Sequence, residues 1–173
     1  MYLVSSNSTR WTRTTLTGDA VFWEEVGVQP FGLKITITRP VEASLPAFLR
    51  HFESLLTEYS RIHIVNLLSS KDQEANLTDS YTDYLATASL VNDDIRENVR
   101  ISQFDFHARS RIGGIESIKT QLAEEIGGVH EQFGGCLVDV DLNGKGTLLV
   151  GQRGVFRTNC KGEYLWTAPA LEY

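Results

Sequence analysis

An amphipathic helix that gives way at once to a short apolar run constrains this chain more than any other feature. Leu45, Phe48, Leu49, Phe52, Leu55, Leu56 and Tyr59 recur at helical spacing and share one face. Ile62 to Leu68 is then nearly continuous in apolar residues, the pattern of a strand buried on both sides. Such a strand needs helices above and below it. Leu77, Tyr81, Leu85 and Ala88 mark a second helix, and Val99, Ile101 and Phe104 mark the next strand. Ile115, Ile118, Leu122 and Ile126 mark a third helix, expected to break at Gly127-Gly128. Upstream, Leu33, Ile35 and Ile37 alternate in a strand over 31–38 that ends at Arg39-Pro40. Ser44 is placed to cap the helix that follows, with Pro46 in its first turn. Downstream, Cys136 to Leu142 and Thr147 to Val150 read as a hairpin around Asn143-Gly144. The alternation predicts an α/β fold: a mixed, largely parallel sheet with flanking helices. Residues 1–20 and 161–173 lack a consistent period. The first stands as an unassigned N-terminal segment and the second as a divergent C-terminal tail.

Charge narrows the function classes. The net charge of −6 and pI of about 5.2 argue against a nucleic-acid binder, which carries a basic face. They also give no bulk attraction to an acidic membrane. A protein working on acidic lipids needs a local basic patch, for which Arg109, Arg111, Arg153 and Arg157 are the candidates; isolated surface arginines are the plainer reading of the first three. The two cysteines, Cys136 and Cys160, are too few for a disulfide scaffold and suit a cytosolic chain. The N-terminus lacks the apolar core of a signal peptide, and no apolar run approaches the roughly 20 residues that span a bilayer. The sequons at Asn7 and Asn76 are then chance matches. Asp139 to Gly144 resembles the opening of a calcium loop, but Val150 stands where that loop needs a glutamate, and a hairpin turn explains the segment. His51 and His63 read as a helix-surface and a strand residue, and no His/Cys pair has metal-ligand spacing, so neither metal nor cofactor is expected.

The chemistry-bearing segment is Gly154-Val155-Phe156-Arg157-Thr158-Asn159-Cys160, a strand that runs into a cysteine. A thiolate attacks a phosphate monoester only where its ionisation is favoured and the ester oxygens are held. A tight loop between a strand and a helix does both, with backbone N–H groups around the phosphate. An arginine in the spacing C-x-x-x-x-x-R closes the loop and binds phosphate oxygens as charge spreads in the transition state. In this chain Trp166 holds that position. A small apolar side chain at a strand end is the alternative reading of Cys160. Asp105 and His107 stand where a strand ends. A structural hydrogen bond is their plain reading; the proton donor to the leaving oxygen is the functional one for Asp105.

At these residues the chain resembles the SAC-domain phosphoinositide phosphatases, of the synaptojanin type. Arg157 to Cys160 match the opening of that family's R-T-N-C-x-D-C-L-D-R-T-N motif. Val21-Phe22-Trp23-Glu24 resembles its V-F-W-E, and Pro46-Ala47-Phe48 with Arg50-His51-Phe52 resembles its P-A-F-x-R-H-F. Ile64-Val65-Asn66-Leu67-Leu68, with Lys71 and Glu74, resembles I-V-N-L-L-x-x-K-x-x-E; Phe104 to His107 resembles F-D-F-H. The blocks come in the family order.

The resemblance implies part of a SAC catalytic subdomain over 21–160. It implies Cys160 as nucleophile, Arg157, Thr158 and Asn159 as substrate-binding residues, and phosphoinositide lipids at a membrane surface as partners. It also implies a cytoplasmic protein peripheral to membranes, without nucleic acid. The departures are equally specific. The family's loop aspartates are Gly162 and Leu165 here, its arginine is Trp166, and its T-R-G-S-x-P is Thr15 to Ala20. The expectation is therefore a truncated phosphatase domain of weak or absent activity, or a non-catalytic fragment that binds lipid headgroups or protein.

Overall fold

The structure is a computed structural model that describes residues 9–11, 14–15, 21–27, 33–140 and 144–160. Its elements are β1 (Thr9–Trp11), β2 (Thr14–Thr15), β3 (Trp23–Gly27), β4 (Leu33–Ile37), α1 (Val41–Glu58), β5 (Arg61–Asn66) and α2 (Asp72–Val91). They continue with α3 (Asp93–Asn98), β6 (Val99–Gln103), α4 (Phe106–Phe133), β7 (Cys136–Val140), β8 (Gly146–Val150) and β9 (Gly154–Asn159). The central sheet has the order β2-β9-β5-β6, and every pairing in it is parallel. An antiparallel sheet β1-β7-β8 and the antiparallel pair β3-β4 complete the architecture. This is the expected α/β fold with a largely parallel sheet and flanking helices.

Alternation along the strands sorts the core into two layers. Ile62, Ile64 and Val155 face one way and pack with Phe48, Phe52 and Leu55 of α1, Leu77, Tyr81 and Ala88 of α2, and Ile95 of α3. Val65 and Phe156 face the other way and pack with Ile118, Ile126 and Phe133 of α4. The crossover after β5 therefore covers one face and the crossover after β6 covers the other.

Some local expectations shift. Helix α1 begins at Val41 behind Pro40, with no side-chain cap. Ser44 lies inside the helix, fully buried, and Tyr84 donates its hydroxyl proton to Arg39 O at 2.8 Å beside it. The expected break in the third helix falls at Gly114 instead of Gly127-Gly128. Gly114 has φ 69° and ψ −176°, a backbone state that glycine alone adopts readily, and α4 runs unbroken through the glycine pair. The hairpin forms as β7 and β8, antiparallel and with a bulge at Leu137/Val138; Asn143 of its expected turn lies outside the described residues. Phe31 of the expected first strand also lies outside them. Helix α3 and strands β1, β2 and β3, absent from the periodicity, are additions.

Candidate active site

The C-terminal ends of β9, β5 and β6 form one edge. Asn159, Asn66 and Gln103 stand in register there, and the ladder runs one step further: Leu67 N donates to Asn159 O at 2.9 Å and Phe104 N to Asn66 O at 2.8 Å. The buried Asn66 amide donates to Gln103 Oε1 at 2.7 Å and to Thr78 Oγ1 at 3.3 Å, tying β5 to β6 and α2. Because β5 and β6 leave the sheet toward opposite faces, their ends diverge, and α/β folds place ligands outside such a divergence. Cys160 follows β9 directly, beside this edge. It is half-buried and packs against the α4-side cluster of Val65, Phe104 and Phe156.

Arg157 does not reach the edge as a surface cation. Its side chain is fully buried on the face covered by α1 and α2. Nε donates to His51 Nε2 at 3.0 Å, and Nη1 donates to Asn159 Oδ1. The guanidinium carbon lies 5.3 Å from the Tyr81 ring centroid and 5.9 Å from that of Phe52. Both rings supply cation–π attraction, which replaces some of the lost hydration. Burial, and then the Arg157 charge, push the His51 pKa down to about 4, so the ring is neutral near pH 7 and its Nε2 is an acceptor. Asn159 is buried with Arg157, whereas the Thr158 side chain points to the opposite face. Arg157 Nη2, Thr158 Oγ1, Asn159 Nδ2 and Asn66 Oδ1 are buried and find no hydrogen-bond partner among the described residues.

Asp105 caps α4. Its Oδ1 accepts from Ala108 N at 2.9 Å, while Oδ2 accepts from Ser70 N at 3.0 Å, Ser70 Oγ at 3.1 Å and Ser69 Oγ at 3.2 Å. Burial raises the carboxyl's pKa, but the amide and hydroxyl donors outweigh it and hold the group below its ordinary range. A carboxylate so stabilised is a poor proton donor near pH 7, and the structural reading of Asp105 prevails. The loop it clasps is held again by Glu74, whose Oε2 accepts from Ser69 N at 2.8 Å.

The four arginines meet different surroundings. Arg157 is buried, and Arg109 pairs with Glu125 at 3.2 Å and lies over the Phe104 ring at 4.3 Å. Arg111 and Arg153 are exposed. His63 is buried, with its Nε2 3.0 Å from Ser102 Oγ; burial lowers its pKa against the opposing Glu125 charge. His51 is the residue that the sequence misassigned. It is half-buried and bonded to the buried arginine, and its place between Phe48 and Phe52 of the apolar face was the available signal. The lone asparagine in an apolar run was the signal for Asn66. Among the described residues no cluster of His, Cys, Asp and Glu is arranged to hold a metal ion, and no helix is long and apolar enough to cross a membrane.

Comparison with known proteins adds the family. The profile described as the SacI homology domain matches residues 20–111. An inositol-1,4,5-trisphosphate 5-phosphatase 1 of Schizosaccharomyces pombe is 36% identical over 141 residues, covering 81% of this chain and 12% of the relative. The polyphosphatidylinositol phosphatase INP53 of Saccharomyces cerevisiae is 29% identical over 140 residues, again 81% of this chain and 12% of the relative. Human synaptojanin-2 is 31% identical over 140 residues, 81% of this chain and 9% of the relative. The chain thus spans about an eighth or less of the length of these relatives.

Proposed function

We propose, from the premise that this chain belongs to the SacI homology domain family, that it carries part of a site for hydrolysing phosphate monoesters of the inositol ring. The observation that carries the reading is the place of Cys160. It leaves β9, inside the parallel sheet, at the edge where three strand ends are locked in register. In the reaction the Cys160 thiolate attacks phosphorus, the P–O bond to the inositol breaks, and the leaving oxygen takes a proton from an acid. Water then cleaves the S–P bond, releasing inorganic phosphate and restoring the thiol. Arg157, Thr158 and Asn159 serve substrate binding from beneath, by holding the strand end, since the Arg157 and Asn159 side chains and the Thr158 hydroxyl are buried. The substrates are phosphoinositides presented at a membrane surface, met by a peripheral protein in the cytoplasm, and residues 21–160 form the partial phosphatase domain.

Turnover by this chain is weak or absent in this reading. Trp166 cannot supply the bidentate donors that an arginine gives, and Gly162 and Leu165 offer no carboxylate. That same departure favours a second reading, a non-catalytic fragment that binds lipid headgroups or a protein. Phosphate release from a phosphoinositide panel, measured beside Cys160→Ser, separates them. Release abolished by the serine supports catalysis; equal release from both leaves binding as the role.

A further inference from the structure

The buried guanidinium of Arg157 is an unusual expense for a small fold. Among the described residues no carboxylate pairs with it, and Nη2 has no hydrogen-bond partner. A buried charge held by neutral groups is less stabilising than an apolar side chain of similar volume. Core stability therefore does not account for an arginine here. Orientation does, because a fork of N–H donors fixes two acceptors at once.

Those acceptors join distant parts of the chain. His51 lies on α1, 106 positions from Arg157 in sequence, and Asn159 lies two positions beyond Arg157 on the same face of β9. Asn159 in turn presents the carbonyl that closes the ladder to Leu67 N, and Cys160 comes next. We propose that His51 is a positioning residue for the Cys160 thiol, acting through the Arg157 guanidinium and the Asn159 side chain that it grips. The neutral imidazole anchors one arm of the fork to the rigid helix, and the other arm then holds the last residue of β9. The catalytic meaning of this link rests on Cys160 as nucleophile; its geometry does not.

The test reads thiol presentation directly. The full chain is alkylated with iodoacetamide across pH 6 to 9, and modification of the Cys160 peptide is followed by mass spectrometry, which excludes Cys136. His51→Leu keeps volume and removes the acceptor, while His51→Gln restores a side-chain acceptor. Cys160 is half-buried against the α4-side cluster, so a loosened strand end exposes it. His51→Leu is expected to speed alkylation by on the order of threefold or more, with His51→Gln close to wild type. Equal rates in all three overturn the proposal. So does equal acceleration by both variants, because the hydrogen bond is then not the link. If His51→Leu fails to fold, Asn159→Ala cuts the other arm: faster alkylation supports the link and an unchanged rate overturns it. Absence of phosphate release that depends on Cys160, in the same preparations, counts against the phosphatase reading alone.

Discussion

Ser70 gives both its amide and its hydroxyl to one carboxylate oxygen of Asp105, at 3.0 and 3.1 Å. The loop after β5 is thereby fastened to the start of the helix after β6, across the divergence at the sheet edge. Asp105→Ala removes the helix cap and leaves the Ser69 and Ser70 donors to water. The expected loss is about 2 kcal/mol in urea unfolding. Asp105→Asn keeps an oxygen for the cap and should lose less. A proton donor would show the opposite pattern, with stability kept and phosphate release abolished in the asparagine variant.

The same carboxyl sets a limit at low pH. Its folded-state pKa lies below the ordinary value. The folded state therefore holds its proton less tightly than the unfolded chain does, and the stabilisation is complete above the unfolded value. It is lost as pH falls through the folded value. Comparing wild type with Asp105→Asn by urea midpoint should show a gap at neutral pH that closes in acid. A gap independent of pH would mean that the charge contributes nothing.

His51 works in a higher window. It is a base whose pKa falls from 6.5 to about 4 on folding, through burial first and the Arg157 charge second. Between those values the unfolded chain binds a proton that the folded chain does not, so stability rises with pH and is complete above about 6.5. The urea midpoint should fall as pH drops from 6.5 toward 4, and His51→Gln should flatten that part of the curve. An unchanged slope in the variant would assign the acid sensitivity to other groups.

Gly154 opens β9 against Phe133. A Cβ at this position would overlap the Phe133 ring, which packs between α4 and the sheet. Gly154→Ala should therefore cost about 1–3 kcal/mol through overpacking. Phe133→Leu, which shortens the clashing side chain, should recover part of that loss in the double variant. Additive losses would show that the two sites do not meet.

Legibility followed the range of the interaction. Helices α1 and α2 and strand β5 were readable because burial on one face or on both writes a period into neighbouring residues: Phe48, Phe52 and Leu55, or Ile62, Ile64 and Val65. Strand β3 was not, since its Glu24 and Glu25 show no apolar alternation and pairing with β4 is what shapes it. The start of α1 was misplaced because Ser44 has the chemistry of a cap, yet it is buried beside Tyr84 from another helix. The strand that leads into Cys160 was legible by motif, and Asp105 by its strand-end position. His51 was legible only in part: its place between Phe48 and Phe52 signals burial, but its partner lies 106 residues away and local spacing does not name it. The bend at Gly114, where a single residue adopts positive φ, is likewise invisible to a count of glycines.

The loop positions after Cys160 supply the sharpest chemical test. The thiol stands at the sheet edge, but Gly162, Leu165 and Trp166 provide neither carboxylate nor guanidinium. Removing one preorganised transition-state donor typically costs about a hundred- to a thousandfold in rate, and groups that act as a unit are not additive. Trp166→Arg alone should therefore gain little, because an arginine without its neighbours is not held over the thiol. Gly162→Asp, Leu165→Asp and Trp166→Arg together should raise phosphate release from phosphoinositide vesicles at least about tenfold over the parent chain. The same triple variant carrying Cys160→Ser must return to background. A gain that survives the serine would point to hydrolysis without a thiol nucleophile. No gain, in a triple variant that folds as the parent does, would mean that this chain lacks more of the site than those three side chains.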